Sequence, residues 1–289
     1  CVRTVKMRIT FSGNKGRMHV ELYEIELGRD GEEIPAARTE GSIKPQDPLW
    51  LLDEKNAESS EKYGEKTWFC KPGTVTPREG GGYIIRGHAS NLGVKVPPEA
   101  QWFTVRFEKF FSRKGYNAWS VYMDGTRNYL CGGVTHPQPG LYTIPLKPVE
   151  KTRSMQFVWY DYNFDLEFAY AALEKEPANY VLCRHSGGGD KVKEGDTLEV
   201  TVKLREPAED LSAVFMCDHG GGGGQAPYAV NGTNAIILER TEETGRCWVG
   251  RVAVNSFKPT KHKVYVKVTA LGGALDLPLF TTAPSFSDT

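Results

Sequence analysis

The residues best placed to do chemistry fall in 159–168, read Trp-Tyr-Asp-Tyr-Asn-Phe-Asp-Leu-Glu-Phe. Side chains alternate along a strand, so on a single strand Tyr160, Tyr162, Phe164, Leu166 and Phe168 share an apolar face. Asp161, Asn163, Asp165 and Glu167 then form an oxygen-rich ladder on the other side. The plainer use of such a ladder is a solvated or interface-facing strand side. The sharper one is a site for a cation or for sugar hydroxyls, with Asp161, Asn163 and Asp165 as ligands and calcium as the cofactor. Their spacing is that of a calcium loop, but Leu166 stands where such a loop needs Gly, and large apolar residues intervene.

A second chemistry belongs to the aromatics. The apolar face of a pyranose ring packs well on an aromatic plane. Trp68, Trp102 and Trp119 fall near expected loops or strand edges, as does Trp50, and the first three are the candidate glycan-stacking residues. Most of the other aromatics belong to the core, and Trp248, beside Cys247, is expected to pack over a disulfide. Catalytic constellations are missing: there is no G-x-S-x-G, and the six His residues are scattered singly. With 36 Asp+Glu, carboxylate pairs arise by chance, and no spacing stands out. The run Gly220 to Gly224 follows Asp218-His219 but lacks the Gly-Lys-Ser/Thr of a phosphate loop, so it reads as a long loop. No catalytic residue is assigned, and the chain is read as a non-enzyme.

Charge narrows the partners. The 36 Lys+Arg balance the 36 Asp+Glu, and no basic stripe is present, which argues against nucleic acid. No apolar run approaches the ~18 residues of a spanning helix. Six Cys with no C-x-x-C pair suit disulfides in an oxidising compartment rather than zinc, the alternative being buried thiols. Cys217 with Cys247 is the first pairing expected, and Cys70 with Cys131 the second. Asn231-Gly232-Thr233 is a glycosylation sequon in a turn, which agrees with export. Opening on Cys1 without Met suits a cleaved leader, a fragment of a longer chain, or a lipidated Cys.

Period-2 alternation recurs along most of the chain and sustained 3.6-residue periodicity is almost absent, which predicts an all-β protein. Strands are expected at 197–204, 212–217, 235–240, 247–254, 263–269 and 276–281, with turn residues between them. That many short strands in about 100 residues has the pattern of an immunoglobulin-like sandwich. Upstream, strands are expected at 5–11, 19–27, 82–87, 102–111, 118–123, 140–146 and 155–173, with a polar loop or helical turn at 53–66. The small-residue run 185–189 reads as a hinge, giving two tandem β-sandwich domains at 1–184 and 185–289.

The first domain resembles the discoidin, galactose-binding-like family. The residues that carry this are Leu22-Tyr23-Glu24-Ile25-Glu26-Leu27, then Arg29-Asp30-Gly31, Leu51-Leu52-Asp53 and Lys66-Thr67-Trp68-Phe69. Residues 140–144 and 155–173 likewise resemble the closing strands of a jelly-roll carbohydrate-binding module. The resemblance implies binding of a sugar or lipid headgroup through loops at one end, often with a structural calcium. The charged run 54–66 replaces the family's usual Gly-Asp turn. The second domain is similar to Ig-like or fibronectin-like spacers of surface proteins.

The expectation is therefore a non-catalytic extracellular or cell-surface module that binds glycan through the first sandwich. The rival is a structural subunit of a surface layer or extracellular filament, whose partners are neighbouring copies. A third reading is an accessory fragment of a larger glycosidase or sulfatase.

Overall fold

The computed structural model describes residues 45, 47–51, 75–77, 82–86, 90–112, 118–123, 126–135, 138–146, 153–160, 164–218, 225–271 and 274–287. All belong to one compact unit, Glu40–Thr289. The expected strands at 5–11 and 19–27 and the stretch 53–66 lie outside the described residues, as do the resemblance motifs before Trp50 and at Trp68.

The described residues are all-β, without a helix. In chain order the strands are β1 (Trp50–Leu51), β2 (Val75–Pro77), β3 (Tyr83–Arg86), β4 (Ser90–Val96), β5 (Trp102–Ser112), β6 (Ala118–Met123) and β7 (Thr126–Thr135). There follow β8 (Gly140–Pro145), β9 (Arg153–Tyr160), β10 (Phe164–Glu174), β11 (Tyr180–His185), β12 (Thr197–Lys203) and β13 (Asp210–Asp218). The last are β14 (Gln225–Pro227), β15 (Ala235–Ile236), β16 (Glu239–Arg240), β17 (Cys247–Ala253), β18 (Val264–Leu271) and β19 (Leu279–Thr282).

They form three sheets. The longest runs β14-β13-β18-β19-β8-β5-β10-β3-β2, with β1 joined to β10 and β15 to β13. The others are β11-β12-β17-β16 and β4-β9-β6-β7. Every ladder between named strands is antiparallel except β19–β8, where Leu279 lies beside Leu141 and Phe280 beside Tyr142.

Alternation explains how the layers close. On β12, Leu198, Val200 and Val202 are buried on one side while their neighbours are half-exposed. They meet Ala213, Phe215 and Cys217 of β13 and Val264, Val266 and Val268 of β18 in a single apolar cluster. The cluster extends through Leu279 of β19 to Leu141 of β8 and to Tyr170 and Ala172 of β10. The other side of β5 supplies Phe103, Val105 and Phe107, all fully buried.

The boundary expected after residue 184 falls inside β11, whose partner in the sheet is β12. The glycine run just beyond it is the turn between these two strands, and it is tied down. His185 meets the Asp196 carboxylate through Nδ1 at 3.1 Å and the Gly189 carbonyl through Nε2 at 2.6 Å. Val192 donates its amide to Ser285 near the end of the chain.

Two expected strands divide. Residues 155–173 become β9 and β10, which lie in different sheets, so the ladder imagined along 159–168 is not one strand face. Residues 235–240 likewise become β15, paired with β13, and β16, paired with β17. Gly250 makes this crossing feasible, because a Cβ there would sit 2.6 Å from the Ile237 carbonyl oxygen. Gly140 does the same at the parallel junction, where a Cβ would lie 2.6 Å from the Phe280 ring and 2.7 Å from the Pro278 oxygen.

Candidate functional site

Most of the buried polar side chains among the described residues collect where β5, β8, β10, β11 and β19 meet. On β5 the side chains of Trp102, Thr104 and Arg106 alternate with the fully buried apolar ones, and all three are buried as well. Thr143 of β8 lies opposite Thr104, and Glu174 of β10 lies opposite Trp102. Thr143 Oγ1 accepts the Val181 amide at 3.2 Å and has the Val181 and Phe280 carbonyls at 3.3 Å. Thr281 donates to the Thr143 carbonyl at 2.7 Å. One threonine thus stitches β8 to β11 and β19.

Beside it, Arg106 clasps Asp276 with both terminal nitrogens, at 3.2 and 2.7 Å, and donates Nε–H to Glu108 at 2.5 Å. Burial pulls the Asp276 carboxyl upward, but the guanidinium outweighs it and holds the group below the usual carboxylate range. Among the described residues Glu174 has no such cation. Burial raises its pKa, and only the Thr104 hydroxyl, which donates to it, opposes the shift. Its folded-state value lies above the unfolded one, so its contribution to stability is full below the ordinary Glu range and is lost as pH rises through the folded value. Glu174→Gln is expected to raise stability in mildly alkaline conditions, where the wild type must bury a charged carboxylate, and to flatten the fall in stability as pH rises from the ordinary Glu range into those conditions. Urea melts of the two proteins across that range check this.

A second buried acid sits at the end of β13. Burial pushes the Asp218 carboxyl up to about 9, against a smaller opposing effect of the Tyr265 hydroxyl. Neither acid was singled out from the sequence for its own chemistry. Both close long apolar strands next to turn residues, and that is the one signal the sequence holds for them.

The expected site residues fare differently. Trp102 is buried, and its ring packs against Tyr180 with centroids 4.7 Å apart. Trp119 takes its place in β6, between Trp159 of β9 and Val134 of β7. Trp68 lies outside the described residues, and so do Asp161 and Asn163. Asp165 is in β10, in register with Arg86 and Phe111. Of the proposed metal ligands Asp165 alone is among the described residues, and Trp102 and Trp119 lie on strands of different sheets.

The expected Cys217–Cys247 disulfide is not formed: both are free thiols, Cys217 belongs to the apolar cluster, and Cys247, next to Trp248 of that cluster, falls on the opposite face of β17. Cys217 directs Sγ to its neighbour's carbonyl, at Asp218, and to Thr260, and Cys247 lies beside Glu242. Cys183 is also a free thiol, and burial pushes it up to about 12. Cys70 and the Cys131 side chain lie outside the described residues. Trp248 consequently packs on no disulfide: the Arg240 guanidinium lies 5.0 Å from its ring, and Nε1–H donates to the Gly245 carbonyl.

Asn231 occupies a turn with φ of 55°, and Gly232 follows at 79°. This is the double left-handed conformation that Asn-Gly favours. Its side chain is engaged at both ends: Nδ2 donates to Ala253 at 2.6 Å, and Oδ1 accepts the amides of Asn255 and Ser256. No helix among the described residues is long and apolar enough to cross a membrane. No family model matches the chain. A search of curated proteins likewise finds no match.

Proposed function

We propose that the protein is a non-catalytic extracellular binding module, in which a galactose-binding-like sandwich contacts glycan and an immunoglobulin-like sandwich serves as its spacer. The observation that carries the reading is strand order. The orders β11-β12-β17-β16 and β14-β13-β18-β19 are similar to the strand order expected of a constant-type immunoglobulin domain, with β14 as an additional edge strand. That order supports the spacer, and the parallel pairing of β19 with β8 would make the spacer a stiff one. The glycan contact rests on the aromatic supply of the first part and on the galactose-binding-like resemblance. With Trp102 buried, Trp119 and Trp68 are the residues on which a pyranose would stack.

A glycan array tests this, with the full chain probed in calcium and in chelator beside Trp119→Ala and Trp68→Ala. The reading expects saturable binding to one sugar class, reduced at least tenfold in one of the two variants. Silence across the array, from protein with a native near-UV spectrum, would overturn it.

One observation favours the second reading, a structural subunit of an extracellular filament or surface layer. Among the described strands, β14 and β2 end the long sheet, and open edges of this kind pair with other strands. Zero net charge would remove self-repulsion between copies. Light scattering separates the two, since a module is expected to remain monomeric at micromolar concentration and a subunit to form high-mass species.

A further inference from the structure

The face of β13 turned away from the shared core carries polar atoms that the packing leaves unsatisfied. Leu211, Ala213, Phe215 and Cys217 belong to the apolar cluster. Alternation therefore places Val214, Met216 and Asp218 on the opposite face. In register, Gln225 of β14 stands beside Asp218, and Tyr265 of β18 stands beside Met216, which puts all three polar residues on that face. Asp218 is 2% exposed and Tyr265 fully buried. Both carboxylate oxygens of Asp218 and both amide heavy atoms of Gln225 are shut off from solvent, and among the described residues none completes a hydrogen bond. The Tyr265 hydroxyl is the polar group that adjoins the carboxyl, and no Lys or Arg among the described residues pairs with it.

Buried polar atoms in folded proteins are nearly always satisfied, by protein, water or an ion. The three oxygens among these atoms, two on Asp218 and one on its cross-strand neighbour Gln225, therefore point to a guest that oxygen donors hold. We propose that Asp218 and Gln225, with the Tyr265 hydroxyl beside them, form a site for a monovalent alkali cation, Na⁺ or K⁺. A carboxylate, an amide oxygen and a phenol oxygen are hard donors of the kind such ions take. Charge decides the valence. The site holds a single carboxylate, so one positive charge neutralises it, whereas a divalent ion would leave an uncompensated charge in a dry environment. The ion also joins the short strand β14 to the end of β13, fixing both ends of the connection that contains the glycine run.

Thermal unfolding of the full chain in NaCl, KCl and choline chloride at equal ionic strength, and in CaCl2, tests the assignment on the wild type, Asp218→Asn and Gln225→Leu. The wild type is expected to unfold about 5 °C higher in one alkali salt than in choline chloride. Asp218→Asn is expected to lose that difference. Gln225→Leu, which leaves the acid in place, is expected to need roughly tenfold more of the alkali salt for the same shift. Gln225→Leu keeps the test decisive if Asp218→Asn does not fold. The proposal is overturned if the wild type unfolds alike in alkali and choline salts, if Asp218→Asn or Gln225→Leu keeps the full response, or if calcium alone stabilises the protein.

Discussion

Phe280→Ala is expected to lower the unfolding free energy by about 3–5 kcal/mol, the range for removing a fully buried Phe whose site cannot collapse. Phe280 is completely buried in β19, the strand that carries the long sheet from β18 across to β8. Its ring stacks on Tyr142 with centroids 4.5 Å apart and planes 8° from parallel. Gly140 lies against the same ring, so the cavity is bounded by backbone that has little room to move in. Urea unfolding followed by tryptophan fluorescence measures the loss. The midpoint should fall with the slope unchanged, because the same surface is exposed. A loss under about 1 kcal/mol would mean that the β8–β19 contact is peripheral.

Arg106→Ala is expected to cost about 3 kcal/mol. Removing one partner of a buried ion pair typically costs ~3–5 kcal/mol, because the other charge stays behind. The low end applies here, since Asp276 is 45% exposed on its side chain and solvent screens it. Glu108 is the more buried acid, at 21%, and loses its Arg106 partner in the variant. The pH response carries a second signature. Burial tends to raise the Asp276 carboxyl, Arg106 more than offsets this, and the net value lies below the ordinary one. A carboxylate lowered in this way contributes stability above its unfolded pKa and loses it as pH falls through the folded value. The wild type should therefore weaken on acidification more steeply than Arg106→Ala. A double-mutant cycle with Asp276→Ala should return a coupling of about 1 kcal/mol or more.

Much of the β architecture was legible because one face of each strand is buried and the other is not. The alternation in 197–204 marks β12 within one residue, since Leu198, Val200 and Val202 face the core and Thr197, Glu199 and Thr201 do not. Residues 118–123 coincide with β6. β11 was missed: its six residues run into the small-residue stretch after His185, which reads as a hinge although it is the turn that brings β12 back alongside β11. β7 was missed as well, with Gly132-Gly133 interrupting its pattern. The changes of sheet at 161–163 and 237–238 were not legible, because alternation reports which face is buried but not which neighbour covers it.

The candidate site was less legible than the strands. Aromatic content pointed to Trp102 as a stacking plane, yet its opposite number across the fold, Tyr180, occupies that face. The cysteine count pointed to a Cys217–Cys247 bridge, yet Cys217 faces the apolar cluster while Cys247 lies on the other face of its strand. Arg106 and Asp276 form their ion pair across 170 positions of sequence, a separation that no local pattern encodes. Glu174 and Asp218 look in sequence like ordinary strand-end acids, and only three-dimensional packing reveals that they are dry.

The account turns on the parallel β8–β19 pairing, which would make the spacer and the binding sandwich one mechanical body. Scanning calorimetry tests this most directly. The account predicts a single transition whose calorimetric and van't Hoff enthalpies agree, as expected for one cooperative unit. Two separate transitions, one of them retained by a fragment beginning at Pro177, would contradict it and leave the two parts joined only by their chain.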